Sequence, residues 1–243
     1  MKKELMSGNE AIARGVYEAG VRFAAAYPGT PSTEIMEQFA RYDGVYAEWA
    51  PNEKVAVEVA IGAALGGAKA LAVMKHVGVN VAADPIFTVS YTGIEGALVI
   101  ISADDPSMHS SQNEQDNRNY AKFAKIPMLE PSDPQEAKEY VKLAFAISEQ
   151  FDTPVFLRTT TRVSHSKSVV TLSEPRVPED KTALAHHAAK YVMVPINARI
   201  RRVEVEKRQK ALQKFAETFP ENKMEINDPA VGIITAGDRK SVV

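Results

Sequence analysis

The chain contains no cysteine. That absence excludes disulfides, thiolate zinc sites, cysteine nucleophiles and any iron–sulfur cluster ligated within these residues. Long apolar runs are missing too: no stretch approaches the roughly 18 consecutive apolar residues of a membrane helix. Charge is nearly balanced, with a formal net charge of −2, so nothing points to nucleic acid or an anionic membrane as a partner. The opening MKKELMSGNEAIARG has two lysines but no apolar segment behind them. No signal peptide is therefore expected, and the expected location is the cytoplasm. GxGxxG, P-loop and G-x-S-x-G patterns are all absent, which leaves simple Rossmann, NTPase and hydrolase readings without their motifs.

What is present is an ordinary globular mixture, 45% hydrophobic and 25% charged over 243 residues, enough for one large domain and part of another. Up to residue 163, helical and strand patterns alternate, predicting an α/β fold with a doubly wound, mostly parallel sheet and helices on both faces. Ser7-Gly8-Asn9-Glu10 is a capping box. Phe23 to Tyr27 is a short apolar run that meets the breaker cluster PGTPST, and Val45 to Ala50 reads as a second strand. Asn52 caps a helix with Val55, Val59, Gly62, Ala63 and Gly66 on one small-residue face. Lys69 to Lys75 and Gly96 to Ser102 read as buried strands, with a helix opening at Asp84-Pro85 between them. Asp133-Pro134 begins a helix whose apolar face is Ala137, Tyr140, Val141, Ala144 and Ile147. Phe156 to Val163 supplies one more strand.

Beyond that the alternation stops. Residues 164–197 read as a linker, and 198–237 as the start of a truncated second domain, with a charged helix over Arg199 to Phe219 and a strand over Val231 to Ala236. Residues 238–243 (DRKSVV) are compatible with a translated sequencing adapter. A non-native tail is expected there, with the natural chain continuing beyond Gly237.

In open parallel sheets, ligands gather at the carboxyl ends of the strands. Pro28 to Thr33, Asn52-Glu53, Lys75 to Asn80 and Asp104 to Asp116 fall there. Four segments in and around these loops carry a resemblance: AYPGTPSTE, WAPNEKVAVEVAIGAALGGAKA, MKHVGVNVAADP and DDPSMHSSQNEQD. Together they resemble the thiamine-diphosphate pyrimidine-binding domain of the 2-oxoacid:ferredoxin oxidoreductases. The first two motifs are shared widely, whereas the KHVGVN and HSSQNEQD loops are similar to the indolepyruvate branch. The likeness runs from about Ser7 through Ser166 and more loosely to Gly237.

The resemblance implies oxidative decarboxylation of indolepyruvate and other arylpyruvates to acyl-coenzyme A, with electrons passed through iron–sulfur clusters to ferredoxin. It implies thiamine diphosphate as cofactor, with Mg2+ and 4Fe-4S clusters expected only from a missing C-terminal part. The implied partners are the arylpyruvate, coenzyme A, ferredoxin, a beta subunit and a second copy of this chain. The fragment alone is expected to be inactive. Glu53 is implied as the carboxylate that bonds N1′ of the cofactor's aminopyrimidine, with Gly29 and Thr30 beside the cofactor and Thr30, His76 and His109 toward the substrate.

Each of these residues has a plainer role open to it. A glutamate in the first turn of a helix is stabilised by the dipole whatever its function. Thr30 could be a turn hydroxyl, and His76 and His109 could be surface-loop histidines. Asn113, Glu114, Gln115 and Asp116 either line the substrate mouth or cap the next helix. Lys75 is either a counter-charge or a solvated strand end, and His165, His186 and His187 are expected to be non-functional. Glu58, about 140° further around its helix, reads as a solvated carboxylate. Relatives acting on pyruvate and 2-oxoglutarate carry an arginine near the position of Asp104, so the resemblance implies that small oxoacids are disfavoured here. Two other functions remain open: the pyrimidine-domain half of a non-oxidative thiamine-dependent decarboxylase, and a non-catalytic module keeping the fold.

Overall fold

The computed structural model describes residues 2–177, 187–226 and 230–239. Its strands are β1 (Lys3–Ser7), β2 (Phe23–Ala26), β3 (Tyr46–Trp49), β4 (Lys69–Lys75), β5 (Ala97–Asp104), β6 (Met128–Leu129), β7 (Val155–Thr160) and β8 (Lys167–Thr171). Its helices are α1 (Gly8–Glu18), α2 (Thr33–Phe39), α3 (Glu53–Leu65), α4 (His76–Val81), α5 (Ala83–Thr92), α6 (Arg118–Ala124), α7 (Pro134–Phe151), α8 (Thr161–His165), α9 (Ala188–Tyr191) and α10 (Pro195–Glu217). Six strands form one sheet in the order β3-β2-β4-β5-β7-β6, and every neighbouring pair is parallel.

The sheet is buried on both faces because its central strands alternate apolar side chains between two cores. Leu71, Val73, Val99, Ile101, Val155 and Leu157 face α1, α2 and α7, meeting Ile12, Phe39, Val141 and Phe145. Ala70, Ala72, Met74, Leu98, Ile100 and Phe156 face α3, α5 and α6, meeting Val57, Ile86 and Ala121. Local chemistry starts the helices where the sequence predicts. The Ser7 hydroxyl accepts from the Glu10 amide while the Glu10 carboxylate accepts from the Ser7 amide. Asn52 caps α3 and Asp133 caps α7.

Several elements differ from expectation. The segment from Lys75 to Asn80, expected as a loop, winds into α4 directly from the end of β4. The strand expected to reach Val163 ends at Thr160 and turns into α8, whose Thr160 cap accepts from the Val163 amide. On α3 the buried residues include Ala56, Val57, Ala60 and Ala64. The predicted small face is only partly turned inward: Val55 and Ala63 pack against the core, whereas Val59 is 40% exposed and Gly62 faces open space.

Within the expected linker, β8 pairs antiparallel with β1, placing Lys3 opposite Thr171 and Ser7 opposite Lys167. The two partners lie too far apart in the chain for any local turn signal to announce them. The charged helix is α10, and it docks on α5 and the end of α7. Arg201 donates to the carbonyl oxygens of Tyr91 and Thr92, and Arg208 to those of Ser90 and Asp152. These guanidinium groups satisfy carbonyls at helix C-termini that have no partner within their own helices. Residues 231–236 form no strand, consistent with strands needing a partner to persist.

Candidate functional site

The carboxyl ends of β2, β3, β4 and β5 lie side by side in the sheet, and the predicted loops collect there. Glu53 is the first residue of α3 and only 9% exposed. Among the described residues no donor pairs with its carboxylate. It lies against α4: a Cβ on Gly78 would sit 2.5 Å from Glu53 Cγ and 2.7 Å from Oε1. Glu58 is exposed beside Lys54, at 3.9 Å.

The β2 end leads to Gly29, whose amide donates to the Thr33 hydroxyl, and a Cβ there would lie 3.0 Å from Lys75 Cβ. The loop therefore lies directly on the end of β4. Thr30 is exposed and joined to Pro31 by a cis peptide bond, and the Pro31 carbonyl accepts from Asn9.

His76 is not a surface-loop histidine: it is 0% exposed at the start of α4. Its Nε2 lies 3.2 Å from the Asn113 carbonyl oxygen, and its Nδ1 has no partner. His109 sits exposed on the loop beyond β5. That loop crosses to its neighbours: the Lys75 ammonium donates to the Ser110 carbonyl, and the Ser110 hydroxyl to the Thr30 carbonyl. Gln115 donates to the His76 carbonyl, and Asp116 caps the Arg118 amide at the start of α6. His165 lies 3.7 Å from Glu34, His187 precedes α9, and His186 falls outside the described residues.

Asp104 lies inside the fold. This side chain is 1% exposed, bonded to Arg158 at 2.6 Å and accepting from the Ser102 hydroxyl and the Asn117 amide. Burial works against the charge on Arg158, but Asp104 and Glu130 overcome it and raise its pKa further. The carboxylate is thus paired inside the fold.

A model of the pyruvate flavodoxin/ferredoxin oxidoreductase, thiamine diP-binding family matches residues 14–228. The chain belongs to this family. It is 48% identical over 235 residues to the indolepyruvate oxidoreductase subunit IorA of Methanothermobacter marburgensis, covering 95% of this chain and 38% of the relative. The corresponding subunit of Archaeoglobus fulgidus is 48% identical over 248 residues, covering 97% of the chain and 39% of the relative. A 2-oxoglutarate synthase subunit KorA from Methanocaldococcus jannaschii is 32% identical over 184 residues, covering 72% and 50%. The chain therefore spans about two fifths of the length of the indolepyruvate relatives. Among solved structures, a 2-oxoglutarate:ferredoxin oxidoreductase from Magnetococcus marinus superposes with a TM-score of 0.69 at 17% identity, over 88% of this chain and 45% of that one. The oxidoreductase fold is shared even where sequence has diverged. Among the described residues no helix is long and apolar enough to cross a membrane.

Reading the sequence of this family member missed Gly78, Asp105 and Arg158. Gly78 had a local signal, the glycine in KHVGVN, but only the meeting of α3 and α4 shows what it makes room for. Its backbone is helical, so alanine would be tolerated locally while its Cβ displaced the Glu53 carboxylate. If Glu53 carries the role implied for it, Gly78→Ala should lower kcat/KM in the assembled enzyme by about 10²-fold, the scale of an ångström-level misplacement of a reacting group. The thermal transition should barely change. Steady-state kinetics beside a melting curve check it, and wild-type activity would show that Glu53 has freedom to move.

Proposed function

We propose that the chain is the pyrimidine-binding N-terminal portion of an indolepyruvate-type 2-oxoacid:ferredoxin oxidoreductase, converting arylpyruvates to acyl-coenzyme A. The observation that carries this reading is Glu53, 9% exposed, whose carboxylate has no donor among the described residues. A carboxylate so enclosed gains from a charge-assisted hydrogen bond. The protonated N1′ of an aminopyrimidine, an N–H donor, fits that acceptor. The donor set thus suits thiamine diphosphate, which when bound supplies carbanion stabilisation for decarboxylation of a 2-oxoacid.

The chain's own residues divide the remaining work. Glu53 would hold the proton at N1′ through a charge-assisted hydrogen bond. Gly29 brings the β2 loop against β4, and Thr30 would present its exposed hydroxyl toward cofactor and substrate. His109 would meet the oxoacid from the loop beyond β5. His76, buried under that loop, would reach a substrate only through Nδ1. The pyrophosphate, Mg2+ and 4Fe-4S sites, and the contacts to a beta subunit, coenzyme A and ferredoxin, would come from the rest of the enzyme. The chain alone would therefore not turn over. The identities of 48% to subunits named for indolepyruvate support the substrate class.

The test is kcat/KM of the assembled enzyme for indolepyruvate, phenylpyruvate, pyruvate and 2-oxoglutarate, followed by ferredoxin reduction. The aryl substrates should lead by on the order of 10²-fold, the scale of discrimination a shaped pocket reaches. A preference for 2-oxoglutarate would overturn the reading.

A further inference from the structure

Asp105 is the first residue beyond β5 and is 1% exposed. Its Oδ1 accepts from the His109 amide at 3.2 Å and the Thr161 hydroxyl at 2.6 Å. Its Oδ2 accepts from the Ser110 amide at 2.8 Å and the Ser111 hydroxyl at 2.5 Å. Both oxygens therefore serve the loop, and Thr161 at the start of α8 anchors them to the domain. Inside the loop, Ser107 and Met108 hold φ of 70° and 54°, a left-handed reversal that non-glycine residues adopt only when neighbouring bonds impose it. The Ser107 amide is held by Glu114. The outer side of the loop is tied to the Thr30 carbonyl, to Lys75 and to His76, so the closed turn stands beside the cofactor loop with Met108 and His109 exposed on it.

We propose that Asp105 is a positioning residue for substrate: by gathering residues 107–111 around one carboxylate, it sets the loop as a wall of the oxoacid site and holds Met108 and His109 where an aryl side chain and a carboxylate would bind. The inference rests on the function proposed above. Burial opposes the charge on Asp105, but the Ser111 and Thr161 hydroxyls and the Ser110 and His109 amides hold its pKa well below the usual carboxylate range. It therefore accepts at every working pH. Asparagine cannot replace it, since either orientation of the amide points an N–H2 group at a backbone N–H.

In the assembled enzyme, Asp105→Asn should raise KM for phenylpyruvate by roughly 10- to 100-fold, the range for a displaced contact, with a much smaller change in kcat. Deuterium exchange at C2 of bound thiamine diphosphate, a step that needs no substrate, should stay unchanged. Ser111→Ala removes one loop donor with little risk to folding, and it should raise KM in the same direction by a smaller factor. The KM-against-kcat split separates positioning of substrate from general loosening, which would lower exchange and kcat as well. An unchanged KM in both variants overturns the proposal, as does a joint fall of kcat and exchange at constant KM. Absence of oxoacid turnover by the wild type would overturn the underlying reading as well. A KM indifferent to Asp105 in an active enzyme overturns this proposal alone.

Discussion

Glu53→Gln should reduce oxoacid oxidation by the assembled enzyme by roughly 10²- to 10⁴-fold, the usual cost of removing one proton-transfer partner, and leave the fold intact. The amide is nearly isosteric, so the packing of α3 against α4 barely changes. It cannot, however, serve as the anionic partner of an N–H donor, and a charge-assisted bond is replaced by a neutral one about half as strong. The measurement that isolates this effect is C2 hydrogen–deuterium exchange of bound thiamine diphosphate, quenched in acid and read by NMR. Glu58→Gln is the matched control, because Glu58 is exposed and paired only with Lys54 across 3.9 Å. Exchange as fast as wild type in Glu53→Gln would remove Glu53 from the proposed mechanism.

Glu18→Gln should destabilise the chain by about 3 kcal/mol, near the low end for breaking a buried ion pair on one side. Glu18 and Lys138 are both buried, with Lys138 Nζ 2.7 Å from Glu18 Oε2. Arg14 and the Ser173 amide bond the other oxygen at 2.9 and 2.7 Å. One carboxylate thus joins α1, α7 and the segment after β8. The loss is limited because Lys138 keeps Glu139, 2.6 Å away.

Burial raises the Glu18 pKa, yet its bonds with Arg14, Lys138 and the Ser173 amide outweigh burial and lower it overall. A lowered native pKa contributes stability in full above the unfolded value, near 4.3 for glutamate, and loses it as pH falls toward the native value. Urea unfolding of wild type and Glu18→Gln should therefore differ by a constant amount at neutral pH, and the gap should close below about pH 4. A gap that is absent at pH 7 would show that the pair is replaceable by neutral hydrogen bonds.

Much of the scaffold was legible from local pattern. The runs at Phe23, Lys69 and Gly96 announced parallel strands because a buried strand must be apolar along its length. Ser7, Asn52 and Asp133 announced helix starts because a helix leaves its first amides unpaired. The position of Glu53, one residue beyond its cap, followed from the same chemistry.

Partners distant in the chain left no such trace. That β1 would pair with β8, that α10 would dock through Arg201 and Arg208, and that the small face of α3 would turn only partly inward all depend on which surfaces meet after folding. The paired acids after β5 show the limit most clearly. Asp104 and Asp105 are adjacent and chemically identical, yet one lies 2.6 Å from Arg158 inside the fold and the other organises the loop. Sequence alone determined the alternation of elements and their caps, because these depend on residues within a few positions of one another. Tertiary structure decided that Gly78 makes room for Glu53, that His76 is buried and that Asp105 rather than Asp104 faces the loop, because a hydrogen bond is set by where donors stand in space.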